Sequence, residues 1–262
     1  LQRDKYKYTF RFISIQALLL WWSAAAQAYA SPWLQEPGDA LLITTTETFS
    51  ANDDSFRQVR TKSFVEFGLT ENWMIGGTAS YDVSESNGQR VQEIQSGFSE
   101  AGLYLQRHIW RQDMLQISGK LTYYTGTRQT RLSNGQTSVA TRDPTLESTL
   151  LVGHTLSANG KHFTTAEISY RTSLGADADL VKADFTYGYQ PNESWLLLLK
   201  NYNTFTADDL TTTPNAYEVH RLSPAIVWQR PRTSYELSVT TDLSGANISE
   251  GDSLTFGIWQ RF

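Results

Sequence analysis

The 262-residue chain contains no cysteine, which excludes disulfide stapling and thiolate metal sites. It has no apolar run of the roughly 20 residues that a transmembrane helix needs; the run from Phe12 to Trp22 stops at eleven. A basic excess is also missing, since 22 Lys and Arg stand against 27 Asp and Glu, and that balance argues against a nucleic-acid partner. No segment carries a convincing helical period. Only four histidines are present, so general-base chemistry has few candidate residues.

What is present begins with Lys5, Lys7 and Arg11, followed by the apolar run and a small-residue stretch ending Ala28-Tyr29-Ala30. This pattern predicts a secretory signal peptide over residues 1–30, cut after Ala30. Losing Arg3, Asp4, Lys5, Lys7 and Arg11 with it takes the net charge from −5 to −8. Residues 31–39 then form a short leader, periplasmic or lumenal, ahead of a single domain over 40–262. A hydrophobic fraction of 40% and a mean hydropathy of −0.40 would suit a soluble protein. They equally suit a transmembrane barrel, in which only every second strand residue faces lipid.

From Ala40 onward the period is two residues, in about twelve segments of roughly 11 residues broken by Gly, Pro, Asn, Asp or Ser. The expected strands are Ala40 to Ser50, Gln58 to Leu69, Trp73 to Val83, Gly97 to Trp110, Met114 to Gly126 and Thr145 to Leu156. The second half supplies His162 to Ser173, Asp179 to Gln190, Ser194 to Phe205, Ala216 to Gln229, Thr233 to Leu243 and Gly251 to Phe262. Short connections such as Thr70-Glu71-Asn72 and Pro191-Asn192-Glu193 alternate with longer polar ones, among them Ser84 to Ser96 and Thr127 to Pro144. Short turns on one rim and long loops on the other predict a single 12-stranded antiparallel transmembrane up-and-down β-barrel, all-β, with the short turns in the periplasm. Aromatic residues near the strand ends support this. Phe67, Trp73, Trp110, Phe163, Trp195, Trp228 and Phe262 form one expected belt; Phe49, Tyr81, Tyr170, Phe205 and Tyr217 form the other.

Faces follow from alternation: Tyr235, Leu237 and Val239 oppose Glu236, Ser238 and Thr240, and a charge facing lipid at mid-depth costs roughly 2 to 4 kcal/mol. The polar face therefore points into the lumen. Two strands read less cleanly, because Leu196 to Leu199 are four consecutive leucines and the strand with Pro224 changes phase, as a bulge would make it do. By this alternation the pore lining is expected to include Arg60, Lys62, Glu66, Glu100, Lys120, Glu147, Glu167, Arg171, Lys182, Asp184, Arg221 and Glu236, with Arg261 below them.

The last strand, with Leu254, Phe256 and Ile258 on one face and an aromatic carboxy-terminus at Phe262, resembles the final strand of bacterial outer-membrane barrels. That resemblance implies a Gram-negative outer-membrane location and recognition of Phe262 by the barrel-assembly machinery. Trp33 with Glu36-Pro37-Gly38, then Val65-Glu66-Phe67-Gly68-Leu69-Thr70-Glu71-Asn72-Trp73, is similar to the MetA-pathway-of-phenol-degradation family of outer-membrane transporters for small, often aromatic compounds. The match covers about the first third of the mature chain and implies passive or facilitated uptake.

The expected function is a porin-like channel or transporter for small solutes through a narrow, mixed-charge lumen. Twelve strands about 4.8 Å apart and tilted about 40° give a backbone radius of roughly 12 Å, narrowed to a few ångströms by side chains. Opposed acids and bases either select polar and charged solutes or pair off and plug the barrel. The loop 127–144 alone is basic, and Arg128, Arg131 and Arg142 are candidates for a constriction or for contact with lipopolysaccharide phosphates. Lipid and a small-molecule solute are the other expected partners. No cofactor is expected, and no metal: Asp53-Asp54 and Asp208-Asp209 read as turns. An enzyme of the lipase, deacylase or protease type is the competing class. His108, His154 and His162 sit at the periplasmic end, leaving His220, near Glu218, as its candidate base. A closed structural or adhesive barrel is the third class.

Overall fold

The computed structural model describes residues 32–262, apart from 88–91, 133–136, 208–209 and 211–215, and omits the side chains of 87, 92–93, 128–140 and 142. The expected signal peptide therefore lies outside the described residues. Twelve strands run in chain order: β1 (Ala40–Ala51), β2 (Phe56–Thr70), β3 (Trp73–Asn87), β4 (Gln92–Gln112), β5 (Leu115–Leu132), β6 (Thr137–Thr155), β7 (His162–Ser173), β8 (Leu180–Asn192), β9 (Trp195–Thr206), β10 (Glu218–Gln229), β11 (Thr233–Ala246) and β12 (Gly251–Arg261). Each pairs antiparallel with its chain neighbour, and β1 pairs with β12 from Leu41↔Arg261 to Ala51↔Gly251, so the sheet closes and leaves no edge along the wall.

Closure decides which face each residue takes. On β12 Leu254, Phe256 and Ile258 point outward and are exposed, whereas Ser253, Gly257 and Trp259 are buried within. β11 repeats the pattern with Tyr235, Leu237 and Val239 outside and Ser234, Glu236 and Ser238 inside. A soluble protein would not leave Leu103, Ile168, Leu121, Leu150 and some thirty other large apolar side chains uncovered around its girth. This outer band is the surface of a transmembrane barrel.

Three expectations need correction. The segments Ser84 to Ser96 and Thr127 to Pro144 are mostly not loops: β4, β5 and β6 are 21, 18 and 19 residues long, and the β5–β6 ladder continues through Gly126↔Arg142 to Arg131↔Thr137. Polar sequence hid these strands because, beyond the apolar band, neither face needs apolar residues. Phe163 is not part of a belt but points inward at 4% exposure, and Phe49 follows the inward parity of β1. The leucine run is divided between faces, Leu196 and Leu198 inside, Leu197 and Leu199 outside. β10 does not change phase: Val219, Ser223, Ala225 and Val227 are all buried inward and Pro224 faces outward, and the bulge lies on β11, where His220↔Ser244 is followed by Arg221↔Asp242.

Candidate functional site: the lumen

The half of the lumen nearest the short turns holds an apolar cluster, which simple alternation did not suggest. Leu41, Ile43, Phe163, Leu196, Leu198, Ala225, Val227 and Trp259 form one buried cluster, with Trp33 packed against it. The leader supplies the filling. Pro32 is fully buried, its carbonyl accepts the Ser118 hydroxyl at 2.6 Å, and the Trp33 ring meets Phe163 edge-on with centroids 5.8 Å apart. Leu34 packs with Met74 and Tyr104, and Gln35 Nε2 donates to Glu66 Oε2 at 2.7 Å. Two glycines make room. A Cβ on Gly153 would lie 2.3 Å from Pro32 Cγ, and one on Gly68 would lie 2.1 Å from the Glu36 carbonyl oxygen. Pro37 bridges Gly68 in parallel, and Gly38 N donates to Gly68 O, so the leader enters the barrel already hydrogen-bonded to β2.

Above the apolar tier the inward faces carry charge, and almost all of it is paired. Arg171 is the centre, donating from Nη1 to Glu100 Oε2 at 2.6 Å and from Nε to Glu147 Oε2 at 2.7 Å, with its guanidinium over the Tyr124 ring at 4.0 Å. Lys182 reaches the same Glu147 oxygen at 2.8 Å, and Tyr124 OH donates to the other. Lys120 pairs with Glu167 at 3.4 Å. Nearer the apolar tier, Glu66 accepts from Gln35 and from Tyr104 OH, and Glu236 holds Lys200. Toward the mouth opposite the short turns Arg60 grips Asp82 with two parallel bonds of 2.9 and 3.0 Å, and Arg221 donates to Asp242 at 2.6 Å. Asp184 accepts the backbone N–H of Asn203.

Every lining residue named from the sequence thus has an inward register position. Lys62, across from Ser80 and Thr45, is inward too, but among the described residues no acid lies within ion-pair range of it. Arg261 reaches Ser234 Oγ only at 3.5 Å. Sequence reasoning missed Lys200, Asp82, Asp242, Tyr104 and Tyr124. Lys200 was masked by the leucine run, and Asp82 shares the parity of Ser80 and Ser84, which alternation carried one turn further would have found. The side chains of Arg128, Arg131 and Arg142 lie outside the described residues; their backbone belongs to the paired β5–β6 hairpin, not to a loop.

Outside the wall, Asp53 caps its own turn by accepting the Ser55 N–H, and Asp54 pairs with Arg57. Asp208 and Asp209 lie outside the described residues. In the β7–β8 connection Asp179 gathers Tyr170 OH at 2.5 Å, Ser173 N at 2.8 Å and the Thr172 hydroxyl at 3.1 Å. These donors, Tyr170 first, hold its carboxyl below the ordinary range.

No family model and no curated protein matches the chain. Among solved structures it is similar to the COG4313 outer membrane channel from Pseudomonas putida F1, with a TM-score of 0.61 and 10% identity over 90% of this chain and 100% of that one. The translocator domain of the autotransporter NalP from Neisseria meningitidis gives a TM-score of 0.58 and 10% identity over 97% and 96%. The KdgM porin in complex with disordered oligogalacturonate gives 0.54 and 5% over 85% and 99%. These likenesses establish the fold, a closed 12-stranded outer-membrane type of barrel, which hosts both channels and translocators.

Proposed function

We propose that the chain is an outer-membrane channel that passes small polar or charged solutes. The carrying observation is the charged middle tier: Glu100, Arg171, Glu147 and Lys182, from β4, β7, β6 and β8, put ion-paired side chains into the bore where the neighbouring tier is filled with apolar ones. Opposed charges at close quarters replace part of a polar solute's hydration while repelling no single sign outright. Lys62, lacking an acid partner among the described residues, gives the tier a free cation and favours anions. The similarity to the phenol-degradation family extends the solute class toward small aromatic compounds. Export by the signal peptide of residues 1–30 into a Gram-negative envelope, insertion through Phe262 and contact of Arg128, Arg131 and Arg142 with lipopolysaccharide complete the reading.

A second reading, a barrel closed at rest, is favoured by the leader packed through Pro32, Trp33 and Leu34. Planar-bilayer recording separates the two. The mature chain should show discrete conductance steps, and Lys62→Glu should shift the reversal potential in a salt gradient toward cation preference. Silence in the mature chain and in a variant lacking residues 32–38 would overturn the channel reading.

A further inference from the structure

The outer wall carries a polar row that solute passage does not use. Across the β9–β10–β11 ladder Asn203 is paired with His220, and His220 with Ser244. The neighbouring pair, Arg221 and Tyr202, faces the lumen, where Arg221 meets Asp242, so Asn203 and His220 have the opposite, lipid-side parity. The β10–β11 bulge takes Leu243 out of the ladder and turns Leu243 and Ser244 to the same outer side, where both are exposed.

The asparagine fixes the tautomer of the histidine. Asn203 Nδ2 donates to Ala183 O and to Asn201 Oδ1, both at 2.6 Å, which uses its two hydrogens and forbids the flipped amide. Its Oδ1 is then an acceptor, and the 2.9 Å contact to His220 Nδ1 requires the ring proton on Nδ1. Nε2 is left as the basic nitrogen, and among the described residues it has no hydrogen-bond partner. Phe205 packs edge-on against the ring at 5.1 Å.

Depth names the substrate. Asn203 and His220 stand eight residues along their strands from Trp195 and Trp228 of the periplasmic belt. At about 3.3 Å per residue and about 40° of tilt that is roughly 20 Å, the outer margin of an apolar band about 25 Å tall. Ester bonds joining acyl chains to polar headgroups lie at that margin.

We propose that Ser244, His220 and Asn203 form an acyl-transfer site on the lipid-facing wall, taking a carboxylic ester of a membrane lipid, a function that goes beyond solute passage. Facing Cβ atoms on neighbouring strands lie about 4.5–5.5 Å apart, so a rotamer change brings Ser244 Oγ to His220 Nε2. Oγ attacks the ester carbonyl as its proton moves to Nε2, and the carbonyl electron pair shifts onto oxygen. As that pair returns, the bond to the alcohol breaks and the alcohol leaves with the Nε2 proton. Water, deprotonated by the same nitrogen, then cleaves the acyl-serine, freeing the fatty acid and restoring Ser244. Asn203 is a positioning residue that holds the ring and steadies Nδ1–H.

The test is labelling of the mature barrel, folded in phospholipid vesicles, by a long-chain alkyl fluorophosphonate. A single adduct on Ser244 is expected by peptide mass spectrometry, absent in Ser244→Ala and slowed about 10²- to 10⁴-fold in His220→Ala. Asn203→Ala should lower the maximal labelling rate without moving the probe concentration for half-maximal rate, and Asn203→Asp should restore it. Heat-modifiable gel migration verifies that each variant is folded. An unlabelled wild-type barrel, or an adduct that survives Ser244→Ala, overturns the proposal. Neither result bears on conductance.

Discussion

Lys200 Nζ lies 2.5 Å from Glu236 Oε1, and Glu236 Oε2 accepts the Trp259 indole N–H at 3.2 Å. The ion pair is almost wholly buried, at 5% and 1% side-chain exposure, and sits where the apolar tier meets the charged one. Removing one partner strands the other. Lys200→Met should cost about 3–5 kcal/mol in urea unfolding from lipid vesicles, whereas Lys200→Met with Glu236→Met should recover most of that loss. Equal destabilisation by the single and double variants would show that the pair is not coupled.

The leader's fit against Gly153 makes it separable from the wall. A Cβ there collides with Pro32 at 2.3 Å and with the Trp33 ring at 3.0 Å, so Gly153→Val should expel the leader without breaking the sheet. Single-channel conductance should rise, and residues 32–36 should become cleavable by protease added from the short-turn side. Gly77→Ala, whose Cβ would make only contacts of 3.4 Å and more, should leave both unchanged.

Asp179 ties the β7–β8 connection to Tyr170, and acid should untie it. Its folded-state pKa is lowered, so the stabilisation is complete above the ordinary value of about 3.9 and is lost as pH falls through the lower folded value. Hydrogen exchange of residues 173–179 should therefore speed up only below about pH 3.9 in the native chain. In Asp179→Asn the same amides should exchange fast at every pH.

Phe262 closes the wall at its seam: its N–H donates to Ala40 O at 3.0 Å while the ring stays 73% exposed. The backbone bonds do not need the ring. Phe262→Ala should fold in detergent or vesicles as the native chain does, yet yield less heat-modifiable barrel in the outer membrane of expressing cells. Equal yields in cells would remove any part for Phe262 in assembly.

All twelve strands were legible in the sequence wherever lipid touches the wall, because one apolar and one polar face leave a period of two, as in Tyr235 to Thr240. The period faded where the inner face turned apolar. Leu196 to Leu199 read as unpatterned since their inward members serve the leader, and no local rule links them to Trp33 far upstream. It faded again beyond the membrane, where the hairpins of β4, β5 and β6 carry polar residues on both sides and pass for loops. Charged lining residues were visible by parity, but their pairing was not. Arg171 and Glu100 are 71 residues apart and meet only because the curl of the wall turns the inward faces of β4 and β7 toward each other.

The whole account rests on residues of β11 alternating between hydrocarbon and lumen, and a chain without cysteine suits a direct test. Single substitutions Tyr235→Cys, Leu237→Cys, Ser238→Cys, Val239→Cys and Thr240→Cys would each carry a nitroxide label in vesicles. Collisional relaxation should be dominated by oxygen, which partitions into lipid, at 235, 237 and 239, and by a water-soluble nickel chelate at 238 and 240. A flat profile, or one repeating every three to four residues, would contradict the barrel wall and the channel within it.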